Sequence, residues 1–316
     1  MTVEDLVRAK VAEVPVFGPE AEVGQIVRLA SMTNQSFKVA IDGRDYVLRI
    51  AGQGTEEYID READEHAARV TAQIGVSAPL VYYSRERGLQ VTAFIENSAP
   101  MNPEVLSDPH ALRLAADAFR RLHTCGTSFL GRFSNFEKMD EYLDVLRRHD
   151  ARLPDGYVEA KQDAETVRQA LIEANIALAP CHNDPAPENL VYTGDRVYIL
   201  DWEFCGNNDP MWDLADLSVE ADFDDQQDAI LLEAYCNGPP SKAMEARLVI
   251  YKAMAFLLWT LWGVLQEVNE NQAPAYYFAS YWDYAMDRFT RSKAIMGRED
   301  FGALLDAVRS GDAGSA

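Results

Sequence analysis

Residues 181–216 read CHNDPAPENLVYTGDRVYILDWEFCGNNDPMWDLAD, and the order of acids and amides in this stretch decides the fold. Asp184 is followed five residues later by Asn189, and twelve residues after that by Asp201. In phosphoryl transfer of the protein-kinase type, this order supplies an Asp that accepts the proton of the substrate hydroxyl. An Asn and a second Asp on magnesium follow it. The flanking letters are not those of a protein kinase, since His-Asn-Asp stands at 182–184 and Asp-Trp-Glu at 201–203. The chemistry nevertheless suits the residue types. A transferring phosphoryl group needs positioning and charge neutralisation more than covalent help. A carboxylate at Asp184 can orient a hydroxyl, Asp201 offers a hard anionic oxygen to a magnesium ion, and Asn189 adds a neutral oxygen that does not repel phosphate. Asp and Asn also gather in turns because they hydrogen-bond their own backbone. The whole string in order argues against that reading.

Between Asn189 and Asp201 lie two short β-prone runs, 190–192 and 197–200, split by Thr193-Gly194-Asp195-Arg196. The pattern predicts a hairpin. Such a hairpin would return Asn189 and Asp201 to the same end, within reach of one ion.

Outside this stretch, the first hundred residues predict a small α+β lobe. Strands are expected at 23–29, 36–41, 46–50, 79–83 and 89–94, with a helix from about 57 to 74. Residues 96–103 carry Asn and Pro and are expected to be the hinge region, giving lobes at 1–97 and 98–316 with the hinge at about 95–103. The second lobe is expected to be mainly helical, with helices near 107–124, 137–149, 158–177, 224–236, 240–269, 275–296 and 299–309. Pro210 suits the first position of one more helix, running through Met211, Trp212 and Asp213. The fold class is therefore α+β: a bilobal, kinase-like arrangement of a β-rich N-terminal lobe and a larger helical C-terminal lobe.

Composition narrows the function. The chain has 316 residues and a net charge of −22, from 29 basic and 51 acidic residues. That balance disfavours nucleic acid as a partner, which requires a basic footprint, and favours a cationic small substrate. Cys125, Cys181, Cys205 and Cys236 form no C-x-x-C pair, so neither a zinc site nor a disulfide framework is suggested. The N-terminus, MTVEDLVRAKVAEV, is polar and periodic rather than a signal segment. The apolar run at 248–265 is interrupted by Lys252 and reads as a buried helix rather than a membrane span. A cytoplasmic enzyme is expected; oligomeric state is left open.

The third strand, Y-V-L-R-I, carries Arg49 where kinases place the residue that grips the α- and β-phosphates. Arginine keeps its charge and can fork onto two oxygens. Its carboxylate partner is expected among Glu62, Asp64 and Glu65 on the following helix. No glycine-rich phosphate loop is present; Ser31, Thr33 and Asn34 in the preceding hairpin could offer donors to ATP instead. Further along the chain, Trp259 and Trp262 lie three apart and share a helix face, with Gln266 one turn on. Aromatics at such spacing are usually core. His182 is expected to fix the catalytic loop by hydrogen bonds, and His123 to be a satisfied buried or capping histidine.

These letters resemble the choline/ethanolamine kinase family, within the wider group of aminoglycoside-phosphotransferase-like small-molecule kinases. The resemblance runs from about residue 24 to 289. Its motifs are TNQSFKV, YVLRIAGQGT with IDRE after it, FRRLH at 119–123, CHNDPAPEN, LDWEF, DLADL and FLLWTLWGVLQ. It implies Asp184 as catalytic base and Asn189 and Asp201 as magnesium ligands, with Glu203 a further contributor to the metal or substrate region. It also implies Asp213 bracing the catalytic loop, Arg49 on the phosphates, and Trp259, Trp262 and Tyr284 lining a choline pocket. The expected activity is magnesium- and ATP-dependent phosphorylation of a small cationic amino alcohol, choline before ethanolamine. Two alternatives stand beside it: a kinase of another hydroxylated, aminoglycoside-like molecule, and a non-catalytic binding protein on the same fold.

Overall fold

A computed structural model describes residues 2–29, 34–52, 59–270 and 278–311. The N-terminal helix α1 (Val3–Ala12) is started by a Thr2 capping box and buries Val7 and Val11. It covers a five-stranded antiparallel sheet built from β1 (Val23–Arg28), β2 (Gln35–Ile41), β3 (Arg44–Ile50), β4 (Leu80–Ser84) and β5 (Leu89–Ala93), in the order β1-β2-β3-β5-β4. Alternation along β2 and β3 sends Phe37, Val39, Ile41, Leu48 and Ile50 into a core with Val7, Val11, Leu89 and Val91. The opposite parity leaves Arg49 off that core and 12% exposed. Helix α2 (Arg61–Gln73) begins at Arg61 rather than near 57, because the Asp60 side chain accepts from Glu62 and Ala63 N–H and caps it. Residues 53–58, which include the start of the expected helix, lie outside the described residues.

The second lobe opens with β6 (Ala99–Pro100) and the short helix α3 (Pro103–Leu106). Helices α4 (Pro109–His123), α5 (Asn135–Arg148) and α6 (Tyr157–Ala174) follow, then strand β7 (Ala179–Cys181). The expected hairpin is present as β8 (Leu190–Tyr192) and β9 (Val197–Ile199), with Leu190 opposite Ile199, and β6 pairs with β8. Strand β10 (Gly206–Asn208) pairs with β7, an addition to the single hairpin expected in this lobe. The remaining helices are α7 (Pro210–Glu220), α8 (Asp225–Cys236), α9 (Lys242–Val268), α10 (Tyr281–Met296) and α11 (Phe301–Ser310).

Helix α10 starts at Tyr281, six residues later than the sequence pattern suggests, because the Ser280 side chain accepts from Asp283 N–H and sets the end. Helix α9 is long and apolar enough to cross a membrane by length and composition, yet 78% of its most apolar window is buried inside the fold. It is the central core helix of this lobe. The α9–α10 crossing is tight at Gly263, where a Cβ would lie 2.7 Å from Tyr284 Cδ1 and 3.1 Å from Ala285 Cβ. Glycine in mid-helix costs about 1 kcal/mol relative to alanine, and the close approach of Tyr284 gives the packing reason for it here.

Candidate active site

The site is organised by two loops and one buried helix. In the first loop, backbone N–H groups of His182 and Asn183 donate to the two oxygens of Asp213 at 2.8 and 2.7 Å. Asp213 is fully buried and also receives His123 Nε2 at 3.0 Å. Tyr235 Oη lies 3.0 Å from His123 Nδ1. A carboxylate only accepts, so His123 donates to Asp213 through Nε2. Cys181 completes a compact buried group with His123 and Asp213. These donor atoms already have partners, Cys181 Sγ reaching Asn208 O at 3.6 Å, and the group is a brace for the loop.

His182 Nδ1 accepts from the Asp184 N–H at 3.2 Å while Nε2 donates to Leu200 O at 2.8 Å. Burial lowers its pKa, in keeping with this neutral tautomer. Both ring nitrogens are engaged, so the ring fixes the loop and does not shuttle protons. Asn183, with a left-handed φ of 70°, is held by donation to Phe204 O at 2.9 Å and acceptance from Asn208 at 3.0 Å. These bonds leave Asp184 at the tip of a rigid turn, half-buried.

Asn189 Nδ2 donates to the Asp184 carbonyl at 3.0 Å. That partner can only accept, so the amide orientation is fixed and Oδ1 is the atom left for a ligand. Leu200 N–H donates to Asn189 O at 2.8 Å, which puts Asp201 one residue beyond Asn189's ladder partner. The hairpin thus returns the two side chains to one end, as expected from the sequence. Asp201 sits at a left-handed φ of 63°, a conformation that persists only when the surroundings over-determine it. Trp202 supplies that restraint, being buried against His182 at a ring distance of 4.9 Å. Burial raises the Asp201 pKa and the nearby Arg49 opposes the rise.

The two lobes meet through charge. Arg49 reaches Asp64 at 2.5 Å and Asp201 at 2.8 Å, so one guanidinium bridges α2 and the second loop. The open question of its partner resolves to Asp64, which also receives Tyr83 Oη at 2.6 Å and Arg61 at 3.3 Å. Glu62 and Glu65 pair with Arg85 instead, at 3.1 and 2.9 Å. Glu203 is engaged by Arg61 at 3.1 Å and Asn34 Nδ2 at 3.0 Å. The buried Asn34 Oδ1 has no hydrogen-bond partner among the described residues. Ser31 and Thr33 lie outside the described residues.

Three aromatic side chains form one array. Trp259 meets Trp262 edge-to-face at 6.4 Å, and Trp262 meets Tyr284 at 5.6 Å. Trp259 is buried, while Trp262 and Tyr284 are half-buried. Each end of the array is tied to a carboxylate on α7. Trp259 Nε1 donates to Asp216 at 2.6 Å, and Tyr284 Oη reaches Glu220 at 3.5 Å. The Arg288 guanidinium lies 4.6 Å above the Tyr284 ring and 3.5 Å from Glu220.

Burial pushes the Asp184 carboxyl well above its ordinary range, and Glu220, Asp201 and Glu188 push it further. Asp216 is raised well above its usual value by burial, then by Glu220 and Asp184. Burial likewise raises Glu220, against the pull of Arg288. The Asp184 loop and the aromatic array are thus joined by the acidic residues of α7, Asp213 on the loop and Asp216 and Glu220 on the array. Asp216 and Glu220 are site residues that the sequence analysis misses; on a helix buried nearly throughout, acidic residues three and seven positions after Asp213 are the available signal.

The Phosphotransferase enzyme family model matches residues 25–246. Protein LicA of Haemophilus influenzae (strain ATCC 51907 / DSM 11121 / KW20 / Rd) is 30% identical over 266 residues, covering 81% of this chain and 96% of that protein. Among solved structures, a choline/ethanolamine kinase family protein from Mesorhizobium loti superposes with a TM-score of 0.86 at 40% identity, covering 98% of this chain and 100% of that one. Choline kinase LicA from Streptococcus pneumoniae shares the fold with a TM-score of 0.76 at 24% identity, over 93% of this chain and 98% of its own. The chain belongs to the phosphotransferase enzyme family, in its choline/ethanolamine kinase branch, and is an ATP-dependent small-molecule kinase.

Proposed function

We propose that this kinase transfers the γ-phosphoryl group of ATP to the hydroxyl of a small cationic amino alcohol, choline first. The observation that carries this reading is helix α7, whose Asp213 holds the loop of Asp184 while its Asp216 and Glu220 meet Trp259 and Tyr284 of the aromatic array. A positive head group held by rings and a carboxylate would present its hydroxyl, two carbons away, to the catalytic loop.

In the reaction, the substrate oxygen forms a bond to the γ-phosphorus as the bond from that phosphorus to the β-bridging oxygen breaks, and ADP leaves. Asp184 orients the hydroxyl and takes its proton. Arg49 holds the α- and β-phosphates, stays braced by Asp64, and gives up part of its contact with Asp201. Ser31, Thr33 and Asn34 supply side-chain and backbone donors to the phosphate chain, the Asn34 side-chain amide N–H being the one that Glu203 now holds. The donor set of one carboxylate and one amide oxygen suits a hard divalent cation. Asn189 Oδ1 and Asp201 would hold magnesium, with Glu203 close behind. When bound, the ion supplies charge neutralisation along the phosphates. Trp259, Trp262 and Tyr284 receive the trimethylammonium group, and Glu220 balances its charge. His182 and Asp213 keep the loop in register. The same reading sets the lobe border at residue 97, with the hinge at about 95–103, and places the enzyme in the cytoplasm, where ATP is.

The experiment is ADP release with Mg·ATP and choline, ethanolamine or an aminoglycoside side by side. Choline turnover with the highest kcat/KM is expected. Turnover of none of the three would sink the substrate assignment, and preference for the aminoglycoside would transfer it.

A further inference from the structure

Helix α7 carries three acidic side chains on one face, at 213, 216 and 220, and each fixes a different part of the site. Asp213 holds the backbone of the catalytic loop at 2.8 and 2.7 Å. Asp216 holds the indole N–H of Trp259 at 2.6 Å, and Glu220 meets the hydroxyl of Tyr284 at 3.5 Å. One rigid helix thus spans from the proton acceptor to both ends of the aromatic array.

Asp216 is the member whose presence most needs explaining. It is fully buried, its Oδ1 accepts from Trp259, and its Oδ2 has no hydrogen-bond partner among the described residues. A buried carboxyl with half its capacity unused is costly, and an apolar residue of similar size would pack there without that cost. Its one polar contact among the described residues is to Trp259. An indole donates only through Nε1, so this single bond sets the rotation of the ring about its side-chain axis and hence which way the π face is presented. The contact between a cation and a ring depends on the cation standing over that face.

We infer that Asp216 is a positioning residue for the acceptor substrate: by accepting the Trp259 N–H it fixes the ring plane that receives the cationic head, in register with Asp184. The inference rests on the proposed amino-alcohol reading and deepens it. What matters is the acceptor oxygen, so an amide at this position preserves the function and an aliphatic side chain does not.

The test compares Asp216→Leu, Asp216→Asn and Trp259→Phe with the wild-type enzyme, reading choline KM and kcat separately along with the indole N–H resonances. Asp216→Leu is expected to raise the choline KM about tenfold, the scale of one desolvated cation–ring contact, and to raise it more than it lowers kcat. The ATP KM should stay close to wild type, because the nucleotide contacts lie across the site. The Trp259 indole resonance, assigned by its loss in Trp259→Phe, should move upfield in Asp216→Leu as the 2.6 Å bond is lost. Asp216→Asn should return the KM to within about threefold of wild type. Trp259→Phe removes the donor from the other side, and its KM effect should not add to that of Asp216→Leu.

An unmoved indole resonance, an Asn variant as impaired as the Leu variant, or additive effects in the double variant would each overturn the inference. Should Asp216→Leu fail to fold, Asp216→Asn still decides it: a choline KM within about threefold of wild type supports the inference, and one raised about tenfold or more overturns it. A wild-type enzyme that turns over choline while Asp216→Leu leaves the KM unchanged removes this inference alone. Absence of choline turnover by the wild-type enzyme removes the substrate reading first, and this inference with it.

Discussion

Replacing Asp213 by asparagine changes one atom and should disable the catalytic loop. Asp213 is fully buried; its Oδ1 accepts from Asn183 N–H at 2.7 Å and its Oδ2 from His182 N–H at 2.8 Å and His123 Nε2 at 3.0 Å. An asparagine must put a donating NH2 where one of these oxygens was. On the Oδ2 side it would face two donors, so the less costly placement sets it against the Asn183 N–H. One buried backbone donor then loses its acceptor, which costs about 1–3 kcal/mol. At roughly 2–4 °C per kcal/mol for a domain of this general size, Tm should fall by roughly 2–12 °C. The functional loss should be larger than the stability loss suggests. Asn183 immediately precedes Asp184, and misplacing a reacting group by about 1 Å can cost about 100-fold. The assay is thermal unfolding paired with steady-state ADP release, measured well below the variant's Tm. A kcat lower by about 10- to 100-fold is expected, with the ATP KM little altered because Arg49 belongs to the other lobe. An Asp213→Asn enzyme with wild-type Tm and wild-type kcat would refute the bracing role.

Arg49→Lys should weaken Mg·ATP binding about 10- to 100-fold, because one ammonium cannot bridge Asp64 and Asp201 together and a charge-assisted bond of about 1.5–3 kcal/mol is lost. Calorimetric titration giving wild-type affinity would contradict this. Gly263→Ala would place a methyl 2.7 Å from Tyr284 Cδ1. It should raise the acceptor KM more than the ATP KM, at about 1–3 kcal/mol of overpacking partly offset by better helix propensity; steady-state kinetics with both substrates varied would expose an unchanged acceptor KM. For pH, burial and mutual repulsion raise Asp184 and Asp216 well above their usual values and raise Glu220. These groups take up protons as pH falls through their raised values, so affinity for a cation is lost on the acid side. A bound cation in turn favours the ionised forms, so the acid limb of kcat should lie at lower pH than that of kcat/KM. Coincident limbs in a pH–rate profile would show that these acidic groups do not couple charge to substrate.

The hairpin between Asn189 and Asp201 was legible because its information is local. Asp184, Asn189 and Asp201 lie within eighteen consecutive residues, and two β-prone runs around a Gly-containing turn leave little choice of register. Arg49 could be picked out by its place on the third strand. Its partner could not, because Glu62, Asp64 and Glu65 all fit the sequence and only the rotation of α2 selects Asp64. Helix α1 reads as merely polar and periodic, since it buries only Val7 and Val11 and depends on a Thr2 capping box for its start. Strands β7 and β10 have three residues each and exist through pairing across more than twenty intervening positions, which no local pattern announces. Asp216 and Glu220 stayed hidden for a related reason. Their importance comes from Trp259 and Tyr284, more than forty and sixty residues further on.

Phosphorus NMR of Mg·ATP mixed with choline tests the central claim most directly, run with the wild-type enzyme and with Asp184→Asn. The wild type should produce a choline phosphomonoester signal in step with ADP. The variant should produce neither, while binding Mg·ATP with unaltered affinity. A wild-type enzyme that leaves choline unphosphorylated, or an Asp184→Asn enzyme that still forms the ester at the wild-type rate, would contradict the account.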